Sequence, residues 1–168
     1  MTYKEIRKNK EVLAYLKKGN DNLGVFGFTD HSEVHCTVVA ERAGMILKKL
    51  GFSEHDVEVA KIAGFMHDIG NAINRKNHAE YGGLLANDIL KNYDLSIEDR
   101  ITVVSAISNH DESTGRAMDI ISAALIIADN ITSHAEKVQT FIDAVDADDN
   151  FQYEIVDVPG GILIAYKG

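Results

Sequence analysis

A single proline, Pro159, stands in a chain of 168 residues. Proline interrupts helices by removing a backbone donor and crowding the preceding turn, so everything before it is free to stay helical for long stretches. The apolar residues use that freedom. Val38, Val39, Ala43, Ile46, Leu47 and Leu50 recur at helical spacing, and similar patterns run through most of the sequence. The chain therefore reads as all-α. Helix starts are marked by an Asx or Ser followed three residues later by an acid: Asp30 with Glu33, Ser53 with Asp56, Asn77 with Glu80, and Ser96 with Asp99. Gly51 and Gly70 read as stops. These signals predict about six helices over 3–18, 32–50, 54–69, 78–92, 97–109 and 117–144.

The end of the chain is different. Residues 138–168 hold six acids and one base, contributing 1 − 6 = −5 to a total of 17 − 26 = −9. Apolar residues alternate in Phe151–Ile155, Pro159-Gly160-Gly161 is a turn signal, and Ile162–Tyr166 follows, a pattern that predicts a short C-terminal β-hairpin. Residues 1–137 are thus expected to form one helical domain and 138–168 an acidic tail, either an appendage or a homodimer contact. Asp146-x-Asp148-x-Asn150 lacks the following glycine that a calcium loop requires.

Charge and composition narrow the function. Lys and Arg are scattered, with no basic stripe to track a phosphate backbone, which argues against nucleic acid as partner. The longest nearly apolar stretch, Ile120 to Ala128, falls far short of the roughly 20 residues that cross a bilayer, so no membrane partner is expected. One cysteine, Cys36, cannot pair internally, and no apolar leader opens the sequence. A reducing, cytoplasmic setting is the expectation.

Two apolar runs end in charge. Val59–Met66 leads straight into His67-Asp68, and Ala123–Ala128 into Asp129. A carboxylate there costs several kcal/mol unless a cation or strong hydrogen bonds meet it. An arginine, a helix cap or a metal would each serve. Seven histidines bear on the choice, because His35, His67, His78 and His110 all fall near predicted helix ends. With Asp68 and Asp129 they make six potential ligands. Imidazole with carboxylate suits Fe, Mn, Co, Ni or Zn, and the lack of a cysteine cluster removes the usual structural zinc site. His55 and His134 lie among charged or polar neighbours and are expected in solvent.

The order His35, then His67-Asp68-Ile69-Gly70, then Ile127-Ala128-Asp129 resembles the HD superfamily of metal-dependent phosphohydrolases, over roughly residues 28–136. His78 in Asn77-His-Ala-Glu-Tyr-Gly-Gly83 and His110 in Ala106-Ile-Ser-Asn-His110 match the extra histidines of its two-metal branch. That resemblance implies a first divalent ion on His35, His67, Asp68 and Asp129, and a second on His78 and His110, with Asp68 bridging. Many relatives follow HDIG with a lysine that contacts phosphate. This chain has Asn71 there, with Arg75 or Lys76 close enough in sequence to supply charge toward a substrate. The double-histidine, Gly-Tyr-Pro segment of the cyclic dinucleotide enzymes is absent.

With one or two divalent transition metal ions bound, the implied chemistry is attack of a metal-bound hydroxide on phosphorus in a small phosphorylated substrate, a nucleotide or other phosphoester. His31, one helical turn before His35, is a candidate proton donor or a residue that orients His35. Asp111 and Glu112 beside His110 are candidates for the same roles. The six-ligand pattern is shared with non-haem di-iron oxygenases of the superfamily, and a non-catalytic metal- or nucleotide-binding regulatory module is the third reading.

Overall fold

A computed structural model describes residues 1–25, 32–111, 113–133, 151–156 and 162–167, with side chains described as far as residue 131. It divides into two compact units, Met1–Ala128 and Asp129–Gly168, the division falling inside one helix. The first unit is helical: α1 (Tyr3–Ile6), α2 (Lys10–Val25), α3 (Glu33–Lys49), α4 (Glu54–Met66), a 3-10 turn (Ile69–Ala72), α5 (His78–Leu90), α6 (Ile97–Ser108) and the start of α7 (Ile120–Ser133). In the second unit, β1 (Phe151–Val156) pairs antiparallel with β2 (Ile162–Lys167), Phe151 opposite Lys167 and Val156 opposite Ile162. The helical class and the strands of a terminal hairpin are both present. Pro159-Gly160-Gly161, the Asp146 to Asn150 segment and His134 lie outside the described residues.

Helix α4 organises the core. Val57, Val59, Ala60, Ile62, Ala63, Phe65 and Met66 are all buried, so the helix is enclosed on nearly every side, chiefly by α3 and also by α6 and α1. Burying a side chain the size of Phe65 contributes about 2 kcal/mol. The Tyr3 ring meets it edge-on at 5.9 Å, and the backbone N–H of Tyr3 donates to Glu58 Oε2 at 2.8 Å, fastening α1 to α4. Where α3 crosses α4, a Cβ on Gly64 would lie 2.7 Å from the Ala40 Cα; only glycine permits that approach. It brings the start of α3 beside the end of α4.

Several predicted boundaries move. The expected 3–18 helix is split, because the Asn9 side chain accepts from the N–H groups of Glu11 and Val12 and starts a new helix, α2, at Lys10. That helix then runs through Gly19 to Val25, with Gly19 packed against Asn71 and Ala72 of the 3-10 turn. Helix α3 has Ser32 at its N-cap, the hydroxyl accepting from Val34 N; Asp30 lies outside the described residues. Ser53 and Ser96 cap α4 and α6 as expected, whereas Asn77 makes no side-chain cap on α5. Gly51 has φ +81° and ends α3 in the left-handed region; Gly70 does not, and α4 stops earlier, at Met66. Gly70 instead lies against α5, where a methyl group would run into the His78 carbonyl and the Gly82 amide.

Candidate metal centre

Four helix ends converge on Asp68. His35 sits in the first turn of α3, His67 at the C-terminal cap of α4, Asp68 between α4 and the 3-10 turn, His78 at the first position of α5, and His110 just beyond α6. The last carbonyls of a helix have no intrahelical partner. Two of the imidazoles use such carbonyls: His67 Nδ1 donates to Gly64 O at 2.7 Å and His110 Nδ1 to Ile107 O at 2.7 Å. His78 Nδ1 donates to Arg75 O at 3.0 Å, ahead of α5. A carbonyl can only accept, so Nδ1 carries the proton in each ring and Nε2 is turned the other way. This is the arrangement that fixes a metal-binding tautomer.

The Nε2 atoms meet around the Asp68 carboxylate, which is 3% exposed. Its Oδ2 lies 3.4 Å from His67 Nε2 and 3.8 Å from His35 Nε2, while its Oδ1 lies 3.7 Å from His78 Nε2. His78 Nε2 and His110 Nε2 are 3.2 Å apart. Donor atoms of Asp68, His78 and His110 fall within 4.8 Å of one another, a spacing that could hold one ion. The rings form a continuous series, His35 to His67 at 5.3 Å, His67 to His110 at 4.9 Å and His110 to His78 at 4.9 Å between centroids. With Nδ1 protonated on both rings, the close Nε2 pair of His78 and His110 sets two lone pairs face to face. A cation between them removes that repulsion, so the donor set fits a divalent ion.

Burial and charge set the protonation of the group. Burial disfavours a charged His67, yet the adjacent Asp68 carboxylate and Cys36 outweigh it and hold its pKa well above the ordinary value. His78 goes the other way: burial pushes it down and the Arg75 guanidinium reinforces the shift, against the pull of Asp68. Asp111, 3.7 Å from His78 Nδ1, is held below the usual carboxylate range. Partial burial opposes that shift, but hydrogen bonds from the Ser113 hydroxyl and N–H, with His78 and His110 nearby, prevail. It is an ionised acceptor at neutral pH.

The remaining candidates fall in different places. Asn71 is buried and donates from Nδ2 to Asp68 Oδ1 at 2.7 Å, and its Oδ1 accepts from Arg75 Nη1 at 3.3 Å. Arg75 and exposed Lys76 line a cleft of about 480 Å³ together with Asn22, Leu23, Asn71 and Asn74. Asp129 is half-buried on α7, immediately after the fully buried Ala128. His31 and Glu112 lie outside the described residues. His55 is exposed, as expected, and its Nε2 lies 2.8 Å from Asp99 Oδ1. Sequence reasoning missed Cys36: it is fully buried, with donor atoms of Cys36, His67 and Asp68 within 4.8 Å of one another. Its place next to His35 is the one signal that could have found it.

The HD domain family model matches residues 33–148, more than half of the chain, and the chain belongs to that family. Among similar proteins, the uncharacterized protein MJ1020 of Methanocaldococcus jannaschii is 29% identical over 155 residues, covering 77% of this chain and 58% of that protein. Ribonuclease Y 1 of Pediococcus pentosaceus is 35% identical over 102 residues, covering 59% of this chain and 17% of the relative. Ribonuclease Y of Acetivibrio thermocellus is 36% identical over 99 residues, with coverages of 59% and 17%. The chain thus spans less than two thirds of each of these relatives. A crystal structure described as a predicted HD superfamily hydrolase, from an uncultured Thermotogales bacterium, shares the fold with a TM-score of 0.57. It is 22% identical, and the match covers 80% of this chain and 74% of that one.

Proposed function

We propose that this protein is a metal-dependent phosphohydrolase acting on a small phosphorylated molecule, a nucleotide or other phosphoester, through a dinuclear centre. The observation that carries the reading is the Asp68 carboxylate, one oxygen facing His35 and His67 and the other facing His78. A carboxylate disposed this way suits a bridge between two ions. His35, His67 and Asp129 would complete the first ligand set and His78 and His110 the second. Ions held there would supply Lewis acidity and an acidified water, chemistry the side chains lack.

The chain's own residues supply position and charge. Asn71 restrains the Asp68 carboxylate by donating to Oδ1, and the carbonyls of Gly64, Arg75 and Ile107 fix three imidazoles. Arg75 and Lys76, on the cleft beside the centre, would bind substrate phosphate, and Asn71 would serve there only indirectly. Asp111, ionised, would orient His78 rather than give up a proton. His31 and Glu112 remain the candidate proton donors, and residues 138–168 are assigned as a tail to an HD domain that ends near residue 137. A metal-lined site also explains how a chain of net charge −9 binds an anion, since the ions invert the local field.

The ribonuclease Y relatives place phosphodiesters among the substrates to be tried. Elemental analysis of the purified protein, followed by a phosphate-release screen over nucleotides, phosphoesters and a short RNA, tests the reading. Bound metal with turnover of a small phosphorylated compound is the expected result. Asp68→Ala should abolish bound metal, and unchanged metal content in that variant would overturn the assignment. Oxygen consumption by a reduced iron form, with no phosphate released, would favour an oxygenase instead.

A further inference from the structure

Arg75 reaches a nitrogen that a second ion would use. Its Nη1 is 3.4 Å from His78 Nε2 and 3.3 Å from Asn71 Oδ1, while Asn71 in turn donates to Asp68 Oδ1. His78 Nδ1 is committed as a donor to the Arg75 carbonyl, so Nε2 is the only nitrogen of that ring available to a cation, and the guanidinium already donates to it. Asp68 Oδ1, His78 Nε2 and His110 Nε2 are all acceptors gathered in one buried place. Arg75 brings a cation to one of them, His78 Nε2. It is half-buried and also lines the open cleft shared with Lys76, so the side chain has somewhere to go when it leaves.

We propose that Arg75 is an internal competitor for the second metal position: the guanidinium and the ion exclude each other at His78 Nε2, and the ion enters only when Arg75 swings into the cleft. The inference rests on the dinuclear reading above and adds what controls occupancy of its second half. The first position, built from His35 and His67, is not in competition. Affinity for the second ion is lowered by the fraction of time Arg75 occupies its place. If the position is open about a tenth of the time, removing the guanidinium tightens the second ion about tenfold.

Calorimetric titration of the metal-stripped full chain with Mn²⁺, with bound metal counted by elemental analysis, tests this without reference to turnover. Wild type should take up two ions, the second more weakly. Arg75→Gln should tighten the second ion about tenfold and leave the first unchanged, while Arg75→Lys, shorter and without the planar fork, should fall between. An unchanged or weaker second ion in Arg75→Gln overturns the proposal. His78→Ala separates the two levels of argument. If it loses only the second ion while Arg75→Gln does not tighten it, the competition fails and the dinuclear centre stands. If His78→Ala keeps both ions with unchanged affinity, His78 is not a ligand of the second ion and the competition at its Nε2 fails.

Discussion

Asn71 shows how much one side chain can decide. It occupies the position where many relatives of the family carry lysine, and here it is buried and spent on Asp68 Oδ1 and Arg75. Replacing it with Ala removes the donor that orients the Asp68 carboxylate. Metal affinity should drop about 10–100-fold, measured by competition with a chromogenic chelator. The candidate cluster was legible in the sequence, because a His-Asp pair at the end of an apolar run violates burial unless something compensates. Cys36 was not legible. A cysteine in an apolar helix reads as core, and only the crossing of α3 over α4 reveals His67 and Asp68 beside it.

At the scale of elements, caps and close approaches carry the predictions. The Ser96 hydroxyl accepts from Asp99 N at 3.0 Å and donates to the Asp99 carboxylate at 2.7 Å, starting α6. Partial burial raises the pKa of Asp99, but the hydrogen bonds from Ser96 and His55 win and lower it. A carboxyl whose pKa is lower in the folded state contributes stability that is fully present above its unfolded value, about 3.9, and is lost as pH falls through the folded one. Asp99→Asn should therefore lower the Tm at pH 7, and the gap from wild type should narrow as a pH series of thermal melts is carried down past that unfolded value. Gly70 is the counterpart in packing. A Cβ there meets the backbone of α5, which cannot yield as a flexible side chain would, so Gly70→Ala should destabilise by more than about 3 kcal/mol in urea unfolding. From sequence the residue looked like a stop signal. The same glycine code marks a helix end at Gly51 and a close contact at Gly70, and only φ and the neighbouring chain tell them apart.

For the whole molecule, the candidate centre would link metal binding to folding. The residues that could hold an ion come from the ends of α3, α4, α5 and α6, so an ion bound there would bind only the folded chain. Free metal at about 100 times its Kd should stabilise by about 2.7 kcal/mol, seen as a rise in Tm that Asp68→Ala abolishes. No helix among the described residues is long and apolar enough to cross a membrane, in line with the short apolar runs.

By itself the sequence determined the helical class, the terminal hairpin, the caps at Ser53 and Ser96, and the histidines and aspartates worth watching. Those features are local: spacing, capping and the cost of burying charge act within a few residues, and each can be read in order along the chain. Which oxygen of Asp68 faces which imidazole, that Asn71 serves the carboxylate, and that Arg75 stands against His78 were decided only in three dimensions. The first depends on helix ends far apart in the chain meeting within a few ångströms, through glycine contacts at Gly64 and Gly70 whose partners no local pattern names; the other two join residues three positions apart and turn on the backbone path through the 3-10 turn and the start of α5.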